Sequence, residues 1–410
     1  MGHVTAGPRY DPFDPAFRAD PYPAYARLRD EAPAHRVAGR EKVPEFWALT
    51  RFADIWEAAR DPATFSSASG LTFHPDEIGQ LGIPPTIVML DPPTQTALRG
   101  LVGRAFTPRR IAELEQKIRA FVRDRIACMT ELADAGDPVD LHQALSSPLP
   151  VFVLADLLGV PESDRGAFAP WVAAITRVQN DGFQVSDEPG GLQAMAEMMA
   201  YFGEAIAHRR TCDHDDLLGA LVAAELDGQR LTDWDILGFC FVMVAGGSDT
   251  TASLVSHGIT LLTDAPAQRE LLFADPDLIP GATLEFLRLE SSVQALARTT
   301  TREVRLHGET IPADTKVMLV YGSANRDPRE FGPTAESLDV RRRPDRHLAF
   351  SSGPHFCIGS HAARLQARVA FEELLAAHPH ITVDAAAGVR HDSMFVRGWV
   401  SLPAGDLSRS

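Results

Sequence analysis

The chain has 410 residues, 45% apolar and 23% charged, the balance of a globular protein that buries its own core without disulfide or metal staples. Its 39 basic and 55 acidic residues give a net charge of −16, which disfavours nucleic-acid phosphates and anionic membranes as partners. The four cysteines, Cys128, Cys212, Cys240 and Cys357, are dispersed without a C-x-x-C pair, which excludes a zinc knuckle or redox dithiol as a motif and fits a reduced, cytoplasmic setting.

The segment from Arg9 to Pro23 is rich in Asp, Pro and Phe and does not read as a signal peptide. Short helices and a strand-like piece, Phe46 to Thr50, fill the first 60 residues. Residues 66–93 hold many Gly, Pro and Ser, show little periodicity and predict a long loop; loops of that length are usually functional. From Thr94 to about Val222 apolar residues recur every three or four positions, as in Ile111, Leu114, Ile118, Phe121, Val122 and Ile126, which predicts helices. Prolines 138, 148 and 161 and the stretch 182–191 interrupt them.

Residues 232–263 predict one long, buried helix of about thirty residues, opened by a Thr232–Asp235 capping box and closed by Pro266. Its longest apolar run, Ile236 to Ala245, is about ten residues and too short to span a bilayer. In its middle stands Gly246-Gly247-Ser248-Asp249-Thr250-Thr251. Adjacent helix-interior glycines cost about 1 kcal/mol each against alanine, so this is poor helix design unless something needs the space. Glu285 and Arg288, three apart, share a helix face. Residues 303–322 switch to alternation around a His307–Gly308 turn and predict a small sheet; residues 380–402 read as strand and turn. The whole predicts a single, mainly α domain over 1–410 with a minor β region.

The chemistry concentrates at Phe350-Ser-Ser-Gly353-Pro-His355-Phe-Cys357-Ile-Gly359, followed by Ala363 and Arg364. Glycines four before and two after Cys357 let the backbone approach a flat ligand. A helix predicted from Ala362 to Ala377 begins just beyond, and its dipole and free N–H groups favour a thiolate. His355 and Arg364 add donors suited to carboxylates.

These residues resemble the haem-binding loop of the cytochrome P450 family, and the resemblance extends over nearly the whole chain. It implies the cytochrome P450 fold, haem b (iron protoporphyrin IX) as cofactor and Cys357 as the thiolate ligand of the iron, with Phe350 and Gly359 in the loop around it. The groove at Gly246 resembles the place where O2 sits, and the acid–alcohol pair Asp249–Thr250 then delivers protons: Asp249 through solvent, Thr250 by hydrogen bonding. Glu285, Arg288 and, from Asp339-Val-Arg-Arg342, Arg342 match the family's buried E-x-x-R network. Asp91-Pro92-Pro93 and Arg99 resemble a family segment whose arginine and histidine hold a haem propionate; here Gln95 replaces that histidine and cannot be cationic. Arg298 and His355 match further propionate contacts.

The activity so implied is insertion of one oxygen atom from O2 into a C–H bond of a hydrophobic or amphipathic small molecule, as in soluble bacterial, particularly actinobacterial, members. Electrons come from separate proteins, a ferredoxin and its reductase, steered by a basic patch of Arg104, Arg109, Arg110, Arg341, Arg342, Arg343, Arg346 and Arg364. By analogy the substrate meets the 66–90 loop (Phe73, Ile83, Ile87, Val88, Met89), the 171–200 stretch with Gln179, Val242, Ala245, residues 293–297 with Gln294, and Phe395. Arg177 and Arg397 are expected on the surface. Competing readings are a peroxide-using peroxygenase or an oxygen-independent isomerase on the same fold, a haem- or gas-sensing module, and a thiol hydrolase pairing Cys357 with His355.

Overall fold

The computed structural model describes residues 7–40, 43–74, 77–81, 85–180, 191–212, 214–226 and 228–407. Helices dominate. Those used below are α1 (Tyr22–Glu31), α2 (Phe52–Ala58), α3 (Thr94–Ala105), α4 (Glu115–Asp134), α5 (Pro148–Leu157), α6 (Arg165–Asn180), α7 (Gly191–Arg209), α8 (Leu217–Ala223), α9 (Asp233–Gly247), α10 (Asp249–Asp264), α11 (Ile279–Leu289) and α12 (Ser360–Ala377). The main sheet has β1 (Ala34–Val37), β2 (Phe46–Leu49), β3 (Phe65–Ser66), β4 (Leu296–Thr300) and β5 (Lys316–Leu319) in the order β1-β2-β5-β4-β3. Only β2 and β5 run parallel; their register sets Val317 opposite Trp47 and Leu319 opposite Leu49. The 303–311 hairpin turns at His307 (φ 53°) and Gly308 (φ 82°), and short strand pairs occupy the tail.

The largest apolar core runs from Leu71 to Leu407 and is built on α4, α5, α9, α10, α11 and α12. A second core packs α1 residues Tyr25 and Leu28 with Phe46, Phe73 and Phe395, and a third packs Trp47, Phe52 and Ile55 against Val317 and Tyr321. Burial of such side chains is worth roughly 1.5–3 kcal/mol each and is the main driving force.

The predicted long helix is divided. α9 carries the expected capping box, the Thr232 hydroxyl receiving the Asp235 N–H and the Asp235 side chain receiving the Thr232 N–H. At Ser248 (φ −83°, ψ −69°) the backbone departs from α geometry, and α10 starts at Asp249. Two hydroxyls explain the break: Ser248 donates to the Val244 carbonyl at 2.8 Å and Thr250 to the Gly246 carbonyl at 2.7 Å, both four residues back. Such back-bonding bends helices. Together Asp233–Asp264 is long and apolar enough to cross a membrane, but most of that apolar stretch is buried, as a core helix is. The 66–93 segment is mostly irregular, as predicted, but includes a short helix at Glu77–Leu81 and a 3-10 turn at Ile87–Met89.

Candidate active site

A cavity of about 290 Å³ lies between the break in the α9–α10 helix and the loop before α12. Gly246, Gly247, Thr250 and Thr251 form one wall, and Phe350, His355, Cys357 and Gly359 face them. Ile87, Val88, Met89, Val242, Ala245, Leu296 and Phe395 line the rest, with Gln95 and Arg99 of α3 at one side. A Cβ added at Gly246 would meet nothing within 4 Å, so that glycine leaves room on the cavity side.

The cysteine loop is shaped by its backbone. Ser351 (φ 58°) and Gly353 (φ 68°) take left-handed conformations, and a Cβ at Gly353 would stand 2.7 Å from the Ala59 carbonyl and 2.9 Å from Arg60 Cα, so only glycine fits. The Cys357 N–H donates to the Phe350 carbonyl at 2.9 Å and closes the loop. Burial pushes the Cys357 thiol up, while the Gly359 and Ser360 N–H groups and the Arg99 charge pull it down. The helix-start effect expected to favour a thiolate is therefore outweighed by desolvation in the protein alone. A coordinated metal cation reverses that balance, because a ligating thiol is deprotonated outright.

The buried network behind the loop is explicit. Glu285 and Arg288, both fully buried, pair through two hydrogen bonds of 2.7 and 2.8 Å, and Arg342 Nε adds a third contact to Glu285 at 3.1 Å. Arg288 also donates to the Asn325 and Ala335 carbonyls, both at 2.7 Å. Asn325 Oδ1 receives the Leu348 N–H at 2.6 Å, two residues before Phe350. α11 is thereby tied to the irregular segment leading into the cysteine loop.

The side of the cavity near α3 is cationic, although Asp91, held by Ser66 and Ser67, stands close enough to act on His355. Arg99 and buried Arg298 have no carboxylate within ion-pair distance among the described residues; Arg298 reaches only the adjacent Ala297 carbonyl. Arg298 does not line the cavity itself but stands close enough to act on His355. Burial, then Arg298 and Arg99, push His355 down to about 4, so it is neutral at pH 7; its Nε2 lies 3.1 Å from Ser67 Oγ. Uncompensated buried cations are costly, so this cluster fits anionic groups. Gln95, fully buried, uses its amide to donate to the Pro354 carbonyl at 2.7 Å, so it fastens the cysteine loop to α3. A flat macrocycle with an iron for Cys357 and carboxylates for Arg99, Arg298 and His355 fits this donor set.

Asp249 differs from expectation. It does not line the cavity; its Oδ1 accepts from His391 Nε2 at 2.9 Å, and His391 stands edge-on to His142 at 6.5 Å. Its other oxygen, Oδ2, is buried without a partner among the described residues. The carboxylate opens on imidazoles rather than directly on solvent. Ser292 Oγ donates to the Thr250 carbonyl at 2.9 Å and fixes that residue's backbone. His391 and Ser292 carry no signal in the sequence, because each contact is made by the fold alone.

Four further expectations are corrected. Gln294 is turned away from the cavity: it receives the Tyr25 hydroxyl at 3.3 Å and donates to the Ser291 carbonyl at 2.6 Å, which satisfies its buried amide. Phe73 stacks on Phe46 in the second core, not at a cavity mouth. Arg397 is largely buried and ion-paired with Glu290 at 3.2 Å, not on the surface. The basic patch is smaller than its arginine count: Arg342 serves Glu285, Arg346 pairs with Glu330, Arg109 with Glu113, Arg110 with Asp215, and Arg104 bonds the Glu225 carbonyl. Exposed Arg341 and, around a surface cleft between α11 and α12, Arg343 and Arg364 remain; Arg368 at the same cleft is paired with Glu115 and Glu372. Ile83 and the side chains of Arg177 and Gln179 lie outside the described residues.

The fold and site define a haem-thiolate oxygenase. A family model described as Cytochrome P450 matches residues 279–384, which include the Glu285–Arg288 pair and Cys357. "Cytochrome P450 130" of Mycobacterium tuberculosis is 45% identical over 94% of both chains. "Cytochrome P450 monooxygenase PikC" of Streptomyces venezuelae is 38% identical over 94% of this chain and 91% of its own. Among solved structures, Mycobacterium marinum cytochrome P450 CYP268A2 in complex with pseudoionone superposes with a TM-score of 0.85 at 33% identity, over 98% of this chain and 100% of that one. The chain belongs to the cytochrome P450 family and is a bacterial haem-dependent monooxygenase.

Proposed function

We propose that this enzyme oxidises a C–H bond of an uncharged, largely apolar small molecule, with haem b held by Cys357. The observation that carries the substrate class is the lining. Away from Arg99 and His355, the cavity offers Leu71, Ile87, Val88, Val242, Leu296 and Phe395, and its polar groups are hydroxyls such as Thr72, Thr86 and Ser292. Among the described residues no cation lines that side to receive an acid, and an unpaired carboxylate there would be costly. Within the hydrophobic or amphipathic class expected from the sequence, a neutral lipid- or terpenoid-like molecule is thereby favoured over an acid.

When bound, the haem iron supplies O2 binding and activation, strengthened by the electron donation of a thiolate ligand. The chain's own residues do the rest. Cys357 would hold the metal, Arg99, Arg298 and His355 would receive its carboxylates, and Gln95 fastens the cysteine loop to α3. Gly246 keeps the helix wall open opposite Cys357. Thr250 places a hydroxyl at that opening, and the Asp249 carboxylate, held by His391, stands behind it to relay protons. The apolar lining excludes bulk water and limits side reactions.

We read Arg343 and Arg364 at the α11–α12 cleft as the docking face for an acidic ferredoxin, Arg368 being paired with Glu115 and Glu372, and the chain as a single cytoplasmic unit with free cysteines. The substrate class is tested by titrating the purified ferric protein with matched pairs, a terpenoid alcohol against its acid and a long-chain alcohol against its fatty acid. Neutral members that shift the Soret band at least about tenfold more tightly than their acids support the proposal; acids that bind as well or better overturn it.

A further inference from the structure

We propose a second metal site, remote from the haem cavity, in which His208, Cys212 and His214 bind Zn²⁺. His208 lies in the last turn of α7, and Cys212 follows at i+4 in the turn that ends it. His214 folds back before α8. The three ligand atoms lie within 4.8 Å of one another, and all three residues are exposed. His208 Nδ1 is 3.1 Å from His214 Nε2, and Cys212 Sγ is 3.7 Å from His208 Nδ1 and 3.4 Å from His214 Nε2.

Those distances are the edges of a tetrahedron around zinc. With Zn–N of about 2.05 Å and Zn–S of about 2.3 Å, tetrahedral angles put two nitrogens about 3.3 Å apart and sulfur and nitrogen about 3.55 Å apart. All three observed edges lie within about 0.25 Å of those values. Cys212 Sγ also donates to the His208 carbonyl at 3.3 Å, a contact that metal binding would replace. The set is two imidazoles and one thiolate, which suits Zn²⁺ over hard cations such as Mg²⁺ or Ca²⁺. The fourth position is left for water or an outside ligand.

The surroundings agree. The arginines next in the chain are neutralised elsewhere, Arg209 by Asp216 and Arg210 by Asp233, so they do not repel a cation. Thr211 Oγ1 donates to the His208 carbonyl at 2.7 Å and holds the turn that presents Cys212. A bound metal would cross-link the end of α7 to the connection into α8. α7 packs on α9, whose Val242 and Ala245 line the haem cavity, so the site braces one layer of the enzyme from outside.

The test uses the untagged, haem-loaded full chain, equilibrated with Zn²⁺ and dialysed into metal-free buffer. Zinc per haem is measured by mass spectrometry, and alkylation of the Cys212 peptide by iodoacetamide is followed with and without Zn²⁺. About one zinc per chain should be retained, falling more than about tenfold in His208→Ala and Cys212→Ser, since loss of a ligand costs at least as much as loss of its outer-shell partner. Zinc should slow Cys212 alkylation by a similar factor in the wild type but not in His214→Ala, which keeps the thiol. Unchanged carbon monoxide difference spectra show that the variants are folded. Equal zinc retention by wild type and variants, or alkylation indifferent to zinc, overturns the site.

Discussion

Asp249 accepts a hydrogen bond from His391 at 2.9 Å across 142 residues of chain, so the carboxylate behind Thr250 is positioned by the C-terminal tail. General acid–base groups in proton transfer contribute about 10²–10⁴ in rate, and the contribution depends on a held geometry. Asp249→Asn is expected to lower turnover by about 10² or more while leaving substrate-induced spectral shifts intact. His391→Ala is expected to lower it less and to raise the solvent deuterium isotope effect, with His391→Gln, which keeps an N–H donor, restoring part of the loss. Steady-state oxygen consumption in H2O and D2O measures both. If His391→Ala leaves rate and isotope effect unchanged, the tail does not position the acid.

Thr250 is placed differently, with its side chain at the cavity and its hydroxyl bonded to the Gly246 carbonyl. Thr250→Ala removes that hydroxyl without opening a large void. The substrate dissociation constant should change little, and the share of consumed electrons recovered as product should fall about tenfold, the remainder appearing as peroxide. Unaltered coupling in a product-to-reductant assay removes Thr250 from the proton path.

The cysteine loop and the E-x-x-R set were legible in the sequence because each is a local pattern with a chemical reason for its spacing, whereas of Asp249 and Thr250 only Thr250 lines the cavity. Glu285 and Arg288 share a face by helix periodicity alone, and Arg342 then reaches the same carboxylate. Contacts made only by tertiary packing were not legible. Nothing local to residue 391 says that it will meet residue 249, and nothing local to Gln294 says that its amide faces Tyr25 instead of the cavity. The break at Ser248 lies between these cases: the hydroxyls that cause it stand in the sequence, but helix period and apolarity carry no term for back-bonding.

The Glu285–Arg288 pair is buried on both sides, so removing one partner leaves an uncompensated charge. That costs about 3–5 kcal/mol, much more than a surface pair is worth. Glu285→Gln is expected to destabilise the protein by about that amount and, because Arg288 holds the segment that reaches Leu348 through Asn325, to lower haem content on purification. Denaturant unfolding and the haem-to-protein absorbance ratio report the two effects separately. A variant of wild-type stability and full haem content contradicts this account of the network.

Electron delivery should depend on salt. Arg343 and Arg364 lie at the α11–α12 cleft with no carboxylate partner among the described residues, whereas the other predicted patch arginines except exposed Arg341 are engaged within the chain. The Debye length falls from about 10 Å at 0.1 M to about 3 Å at 1 M ionic strength. Stopped-flow reduction by an acidic ferredoxin should therefore slow steeply over that range, and Arg343→Glu should slow it about tenfold at low salt but little at high salt. A rate indifferent to both moves the docking face elsewhere.

Stability should fall on the acid side well before carboxylates titrate. Burial pushes His142 down to about 4, His257 to about 3 and His347 to about 4, so all three are neutral in the native protein at pH 7. Their unfolded value is about 6.5, so below that pH the unfolded chain takes up protons that the native protein refuses. The sign is then fixed: these groups favour the fold fully above pH 6.5, and the contribution is lost as pH falls towards 4, and towards 3 for His257. Each unit of depression is about 1.4 kcal/mol, so a single such histidine accounts for a few kcal/mol over that window. His257 is the clearest probe, because its Nδ1 lies 3.3 Å from the Glu290 carbonyl and its Nε2 is buried without a partner among the described residues. Replacing it with an uncharged group of similar reach, His257→Gln, should reduce the slope of unfolding free energy between pH 6 and 4.5 by about 1.4 kcal/mol per pH unit, one proton's worth. Urea unfolding of the haem-loaded protein at several pH values measures that slope. An unchanged slope would mean that His257 is protonated in the native state and that its burial is compensated by a partner.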